Sequence, residues 1–119
     1  MFVPSVGPGY IDTRVRAWNS PATRHRRKGD YYNLAWRTAT ALSPKLVSIT
    51  SFNEWHEGTQ IENAIPKEIK DFTYLSYEPD PPDMYIKLTR TLVDQFMQSK
   101  KLNKTGGDVI YEQLQNLQP

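Results

Sequence analysis

The residues best suited to catalysis stand together in one short segment of the chain. Five consecutive positions hold Asn53, Glu54, Trp55, His56 and Glu57. An apolar run with the length and β-branched content of a buried parallel strand lies just before them, at residues 46–50. Ionisable and aromatic groups that follow such a strand are typical of an active site at the carboxyl edge of a parallel sheet.

Glu54 and Glu57 are three positions apart, and this spacing decides which chemistry they can share. In a straight strand they would point to opposite faces, but in a helical turn their Cβ atoms would lie about 5–6 Å apart. Gly58 directly afterwards permits a sharp turn. Carboxyl groups about 5–5.5 Å apart suit retaining glycoside hydrolysis, and Trp55 would offer a flat surface to a sugar ring. A solvated acidic loop with one buried Trp explains the same pattern, so the spacing alone leaves both interpretations open.

The segment Thr50–Glu62, with the sequence TSFNEWHEGTQIE, resembles the catalytic segment of the endo-α-1,2-mannosidase family. The resemblance extends to Val3–Arg14 and Gly29–Tyr32, and it covers roughly residues 2–100. It implies the C-terminal portion of a (β/α)8 TIM barrel, because 119 residues allow one ordinary domain whereas a complete barrel needs about 250. We therefore expect barrel βα units at residues 1–104, which need upstream barrel segments, and a tail at residues 105–119 that is a short helix or disordered.

The hydrophobic pattern predicts two strands and two helices. They are expected at Phe2–Val6, Asp30–Leu42, Leu46–Thr50 and Met84 to about Lys101. The first strand, first helix and second strand form a βαβ unit, for which a right-handed crossover is expected. The stretch between Glu62 and Tyr77 is predicted to be an irregular loop, and residues 105–107 are expected to end the ordered part.

The family resemblance implies a retaining, endo-acting hydrolase that releases a glucosylated mannose unit from a glucosylated high-mannose N-glycan. It also implies that the substrate's own 2-hydroxyl attacks the sugar carbon, which gives a 1,2-anhydro sugar. Glu54 would take the proton from that hydroxyl, and Glu57 would protonate the leaving oxygen and later activate water. The resemblance implies neither a cofactor nor a metal.

By the same resemblance, seven further side chains are expected to shape the sugar site or to bind hydroxyl groups. They are Tyr10, Arg14, Trp18, Arg24, Asn53, Trp55 and His56. Glu62 fits an ordinary surface acid at least as well as a member of the site. Arg27 and Lys28, which end a basic run, are expected to be surface charge.

Composition and charge narrow the possible partners. A net charge of +2 is too small to indicate nucleic acid as the main partner. The absence of Cys excludes a disulfide scaffold and thiol chemistry. No apolar run approaches the length of a membrane span, so we expect no membrane contact from this chain itself. The family resemblance implies the Golgi lumen or membrane as the location.

Two competing interpretations of the candidate site stay open. A non-catalytic carbohydrate-binding or regulatory fragment would use the same loops without hydrolysis. A metal site formed by Glu54, His56 and Glu57 ranks low, because the helical His-Glu-x-x-His pattern is absent. Ligands so close in sequence rarely complete a coordination shell alone.

Overall fold

Two short parallel strands, a hairpin and two helices organise the chain. The computed structural model describes residues 1–115, with side chains described up to residue 102. In chain order the strands and α-helices are β1 (Ser5–Val6), α1 (Asp30–Ala41), β2 (Ser48–Ile49), β3 (Lys67–Ile69), β4 (Phe72–Tyr74) and α2 (Met84–Gln115). Single turns of 3-10 helix at Asp12–Arg14, Ser20–Ala22 and Arg27–Gly29 lie in the loop between β1 and α1.

Strands β1 and β2 pair in parallel, with Ser5 opposite Ser48 and Val6 opposite Ile49. Since α1 lies between them in sequence, the predicted strand–helix–strand order is confirmed. Both strands are shorter than the predicted ranges of residues 2–6 and 46–50. Within the described part of the chain they form a sheet of two strands, so the residues that begin each apolar run have no neighbouring strand. Phe2, at the start of the first apolar run, is 64% exposed.

Helix α1 begins and ends close to its predicted bounds and buries one stripe. Tyr32, Trp36 and Ala39 are buried at three- and four-residue steps, as the apolar pattern predicted. Gly29 precedes the helix with a φ of 93°, a left-handed conformation that glycine adopts without strain. Ser43, also left-handed at φ 48°, and the proline after it turn the chain toward β2.

Helix α2 extends further than the predicted end at about Lys101. It continues to Gln115 and passes through Gly106 and Gly107, although residues 105–107 were predicted to end the ordered part. Glycine weakens a helix by about 1 kcal/mol but keeps its backbone hydrogen bonds, so the two glycines do not by themselves end it. The predicted tail therefore belongs to α2 as far as Gln115, and residues 116–119 lie outside the described residues. Over the described residues, neither helix combines the length and the apolar character needed to cross a bilayer.

An aromatic cluster joins the two helices. It also holds the end of the stretch that follows the Thr50–Glu62 segment. Tyr32 packs against Trp36 and Tyr85 with ring centroids 6.2 Å apart in both pairs. Tyr85 also packs against Tyr77 at 4.7 Å, and Phe96 packs against Trp36 at 6.2 Å. Burial raises the pKa of Tyr77 to about 12. The predicted core face of α2 is confirmed, because Tyr85 and Phe96 are buried in this cluster.

The stretch between Glu62 and Tyr77 was predicted to be an irregular loop, and this prediction is wrong. Strands β3 and β4 form an antiparallel hairpin in which Ile69 lies opposite Phe72. The connecting residues, Lys70 and Asp71, lack the glycine that usually identifies a two-residue turn in sequence. The hairpin instead owes its position to packing, since Phe72 lies 5.7 Å from the ring of His56. Short strands stabilised by such tertiary contacts carry little sequence signal.

Candidate active site

The segment that holds Glu54 and Glu57 folds into a tight turn immediately after β2, which is the arrangement that Gly58 allows. Two backbone hydrogen bonds close it, from Gly58 N–H to the Trp55 carbonyl at 3.3 Å and from Thr59 N–H to the Glu54 carbonyl at 3.0 Å. Gly58 has a φ of 65°, and a Cβ at this position would come within 2.7 Å of the Leu75 Cδ1 atom. The left-handed backbone conformation therefore favours glycine, and the Leu75 side chain occupies the space beside it.

Glu54 is held at the start of this turn by local hydrogen bonds. Its backbone N–H donates to the Ser51 Oγ atom at 3.0 Å. Its carboxylate Oε1 accepts a hydrogen bond from the His56 backbone N–H at 2.9 Å, and it lies 3.5 Å from His56 Nδ1. The side chain is exposed, so its carboxylate is both oriented and accessible to a ligand.

Glu54 lines a cleft of about 600 Å³ beside the turn. Asn53, Trp55 and His56 line the same cleft, together with Tyr74 from β4 and Glu62. The structure thus brings together four of the nine residues predicted for the site. It also decides the position of Glu62, whose Oε2 atom accepts a hydrogen bond from the Trp55 indole at 3.0 Å. Tyr74 was not among the predicted site residues, because the hairpin that carries it was not predicted.

Glu57 has different surroundings, in which Arg16 is the nearest charged group. Arg16 Nη1 lies 3.3 Å from Glu57 Oε1 and also binds the carboxylate of Asp12. The hydrogen bond to Asp12 and its charge raise the pKa of Arg16. Glu57 is not one of the residues lining the cleft around Glu54, and its side chain contacts Arg16 in the loop between β1 and α1.

Asp12 is a fully buried carboxylate in the loop between β1 and α1, which we call the first loop. It accepts hydrogen bonds from the Tyr10 hydroxyl at 2.6 Å, from Asn19 Nδ2 and from Arg16 Nη1. The Tyr10 hydrogen bond lowers the pKa of Asp12 most, and the other two act in the same direction against the effect of burial. The same bond raises the pKa of Tyr10. The hydroxyl of Tyr10, predicted to bind substrate, is therefore engaged within the protein.

Arg14 connects the first loop to both the turn and the hairpin. Its Nε atom donates to the His56 carbonyl at 3.2 Å, and its Nη2 atom donates to the carbonyl of Thr73. The guanidinium also stacks on the ring of Phe72 with 4.4 Å between Cζ and the centroid. Burial lowers the pKa of Arg14. The structure shows Arg14 bound to backbone, and the prediction that it binds substrate hydroxyls stays a prediction.

Trp18 and Arg24 lie apart from the residues that line the cleft. Trp18 is 82% exposed. Arg24 donates to the carbonyls of Pro21 and Thr23, and its backbone pairs with that of Tyr10 in an isolated bridge. Their predicted contacts with substrate stay predictions.

Comparison with known proteins places this site in a family. The family model described as "Glycosyl hydrolase family 99" matches residues 1–98. A human protein named glycoprotein endo-alpha-1,2-mannosidase-like protein is 54% identical over 101 residues, which are 85% of this chain and 22% of that protein. Mouse glycoprotein endo-alpha-1,2-mannosidase is 52% identical over 100 residues, with 84% and 22% covered. The chain therefore spans about a fifth of the length of these relatives.

Solved structures of GH99 endo-alpha-mannosidases are also similar to this chain. The GH99 endo-alpha-mannosidase from Bacteroides thetaiotaomicron, in complex with Bis-Tris-propane, is 49% identical and superposes with a TM-score of 0.79. The match covers 86% of this chain and 32% of that one. A second structure of the enzyme from this organism is 50% identical with a TM-score of 0.77, and it covers 83% and 29%.

The network around Asp12 predicts how stability depends on pH. The measurement uses a chimera in which residues 1–98 replace the matching segment of the mouse relative. Asp12→Asn should lower its melting temperature by several degrees at neutral pH, because Asn cannot accept from all three donors. The folded pKa of Asp12 is lowered, so its contribution is present above about 4, the unfolded value, and is lost as the pH falls through the folded value.

The melting temperatures of both chimeras should therefore converge as the pH decreases below about 4. Asp71→Asn is the matched control, because Asp71 is exposed in the hairpin turn, and it should change the melting temperature little at any pH. A difference for Asp12→Asn that stays constant down to the lowest pH would contradict a role of its charge.

Proposed function

The chain belongs to glycosyl hydrolase family 99, and from this premise we propose that it carries the catalytic turn of a retaining, endo-acting α-1,2-mannoside hydrolase. The proposed substrate is a glucosylated high-mannose N-glycan, and the proposed location is the Golgi lumen or membrane. One observation supports this most strongly: within the matched residues, Glu54 and Glu57 lie on one closed turn directly after β2. Such a position at a strand end is where α/β enzymes place catalytic groups.

Glu54 is proposed to act as the base toward the substrate's 2-hydroxyl. It takes the proton, the hydroxyl oxygen bonds to the anomeric carbon, and the bond from that carbon to the leaving oxygen breaks. Glu57 donates a proton to the leaving oxygen, and a 1,2-anhydro sugar results. Water then adds at the anomeric carbon and loses its proton to Glu57, while the opened sugar oxygen recovers its proton from Glu54. The local bonds that orient the accessible carboxylate of Glu54 support this assignment.

The surroundings of Glu57 support the role of a positioned acid and base. Its side chain is only 24% exposed, and Arg16 contacts it from the first loop. Asp12 in turn holds Arg16. A carboxylate that must transfer protons to and from two different oxygens in sequence benefits from such a fixed position.

The chain is proposed to supply the C-terminal βα units of a barrel. Its parallel sheet has two strands over the described residues, and apolar side chains at the strand ends are exposed, including Phe2, Leu46 and Phe52. Parallel strands are normally covered on both faces and paired on both edges. The curated relatives are several times longer than the matched segment, so they contain enough additional chain to cover these surfaces.

The two glutamates should respond differently to the leaving group. In the chimera described above, Glu57→Gln should lower the rate on an unactivated glycan by about 10²–10⁴-fold, since the amide lacks a transferable proton. An aryl or fluoride leaving group, which needs no protonation, should restore much of this rate. Glu54→Gln should be equally impaired with either leaving group. Initial rates on matched mannosides test this, and a mannoside without a free 2-hydroxyl should not be turned over.

Equal restoration of both variants by the activated substrate would contradict the division of roles. The doubly substituted chimera is the control for binding, since it should retain affinity for the glycan without hydrolysis. An unsubstituted chimera that binds the glycan and shows no turnover would favour a non-catalytic carbohydrate-binding function.

Arg16→Gln should affect the two kinds of substrate in the same way as Glu57→Gln, with a smaller loss of rate. The substitution removes the cation that contacts Glu57 and is anchored on Asp12, so the acid loses its fixed position but keeps its proton. We expect the rate on an unactivated glycan to fall by about 10-fold and the rate on an activated substrate to change little. Arg90→Gln is the matched control, because Arg90 is exposed and pairs with Asp94 within α2. A loss that is equal for both substrates would exclude an action through Glu57.

Residues 1–119 by themselves should be marginally folded, prone to association and inactive as a glycosidase. The two-stranded parallel sheet and its exposed apolar ends are the reason. Size-exclusion chromatography, thermal unfolding and an assay on a glucosylated mannan fragment test this. A monomer with a cooperative transition and measurable turnover would show that the incomplete-barrel interpretation is wrong.

A further inference from the structure

Arg26 reaches the catalytic turn from the middle of the basic run. Its Nη2 atom donates to the carbonyl of Gly58 at 2.8 Å and to the carbonyl of Gln60 at 2.7 Å. Both acceptors belong to buried residues. The next residue, Arg27, is exposed as predicted, so neighbouring arginines of one run have opposite environments. The pattern of charges in the sequence does not distinguish between them.

Two buried aromatic rings fix the guanidinium of Arg26. Its Cζ atom lies 5.0 Å from the centroid of Tyr77 and 4.5 Å from that of Tyr85. Both distances are within the range of a cation–π contact. Tyr77 also donates from its hydroxyl to the Gln60 carbonyl at 3.0 Å. The same carbonyl is therefore bound by the cation and by one of the rings that hold the cation in place.

The first loop binds the carbonyls of the turn on both sides of Glu57. The Ile11 backbone N–H donates to the Glu57 carbonyl at 2.9 Å, and Arg14 binds the preceding carbonyl. Arg26 binds the carbonyls of Gly58 and Gln60, which come after Glu57 in the chain. Without Arg26, the C-terminal half of the turn would lose charge-assisted hydrogen bonds, which are among the stronger polar contacts in proteins.

We infer that Arg26 is a positioning residue for the hydrolytic reaction, which acts by holding the Gly58 and Gln60 carbonyls and thereby the turn that carries both glutamates. The inference rests on the proposed function. Gly9 is part of the same arrangement, because a Cβ at that position would lie 2.7 Å from Arg26 Cγ. The loop that follows β1 thus leaves space for the arginine to reach the turn.

The experiment uses the full chain joined to the upstream part of the mouse relative. Three single-substitution variants are compared with the unsubstituted protein. Arg26→Gln should lower kcat per folded molecule by about 10–100-fold, since a misplacement of about 1 Å has effects of this size. KM should stay within about twofold, because Arg26 contacts the turn and not the glycan. Arg26→Lys should lower kcat by about 3–10-fold, as an ammonium group keeps the charge but not the planar stacking and paired geometry. Arg27→Gln, the matched control, should leave both constants unchanged.

The folded fraction of each variant, from circular dichroism, separates positioning from mere stabilisation. A purely structural role would lower the melting temperature and leave kcat per folded molecule unchanged, which would overturn the inference. Arg26→Lys with an unchanged kcat would also overturn it, even where Arg26→Gln fails to fold. Activity of the unsubstituted enzyme tests the proposed function separately, so the two proposals fail under different results.

Discussion

Hydrogen bonds from the first loop to the backbone carbonyls of the turn that carries Glu54 and Glu57 are the main constraint on this site. A tight turn exposes carbonyls that no helix or sheet satisfies. Here they accept from the Ile11 N–H, from Arg14 and from Arg26. The loop after β1 and the loop after β2 therefore form one unit. The parallel pairing of β1 and β2 brings the two loops side by side. Arg14 and Arg26 then bind the carbonyls of the second loop.

Arg14, Arg16 and Arg26 place three positive charges near the turn. Each guanidinium needs a partner that stabilises its charge. Asp12 supplies one buried negative charge, which three donors stabilise together. A buried carboxylate without such partners would be costly, so Tyr10, Asn19 and Arg16 are needed as a group. Arg26 is balanced differently, by the faces of two aromatic rings from the region around α2. The aromatic core therefore has two functions, because it joins the helices and also holds the cation that reaches the turn.

The hairpin adds a third constraint, because it supplies one side of the cleft. Arg14 holds it through the carbonyl of Thr73 and the ring of Phe72. Tyr74 then meets Trp55 edge to face at 6.2 Å. The proposed substrate contacts of the motif thus depend on a segment that has no catalytic pattern of its own. The hairpin has too few backbone hydrogen bonds to be held by its own ladder. Its position depends instead on a few aromatic contacts.

Local patterns in the sequence determined the strand–helix–strand order and the core face of α2, and Gly58 allowed the turn that carries Glu54 and Glu57. These features depend on periodicity and on backbone conformation, which are properties of neighbouring residues. Tertiary structure alone decided that Arg26 is held between aromatic rings while Arg27 is exposed, that Asp12 is buried, and that residues 67–74 form a hairpin. The partners of Arg26 lie 32 and 34 positions away along the chain. Those of Asp12 are close in sequence, but they surround it only once the loop between β1 and α1 has folded. The sequence shows whether a residue is charged or apolar. The hydrogen-bonding or packing partner of that residue is decided only when the loops fold against each other.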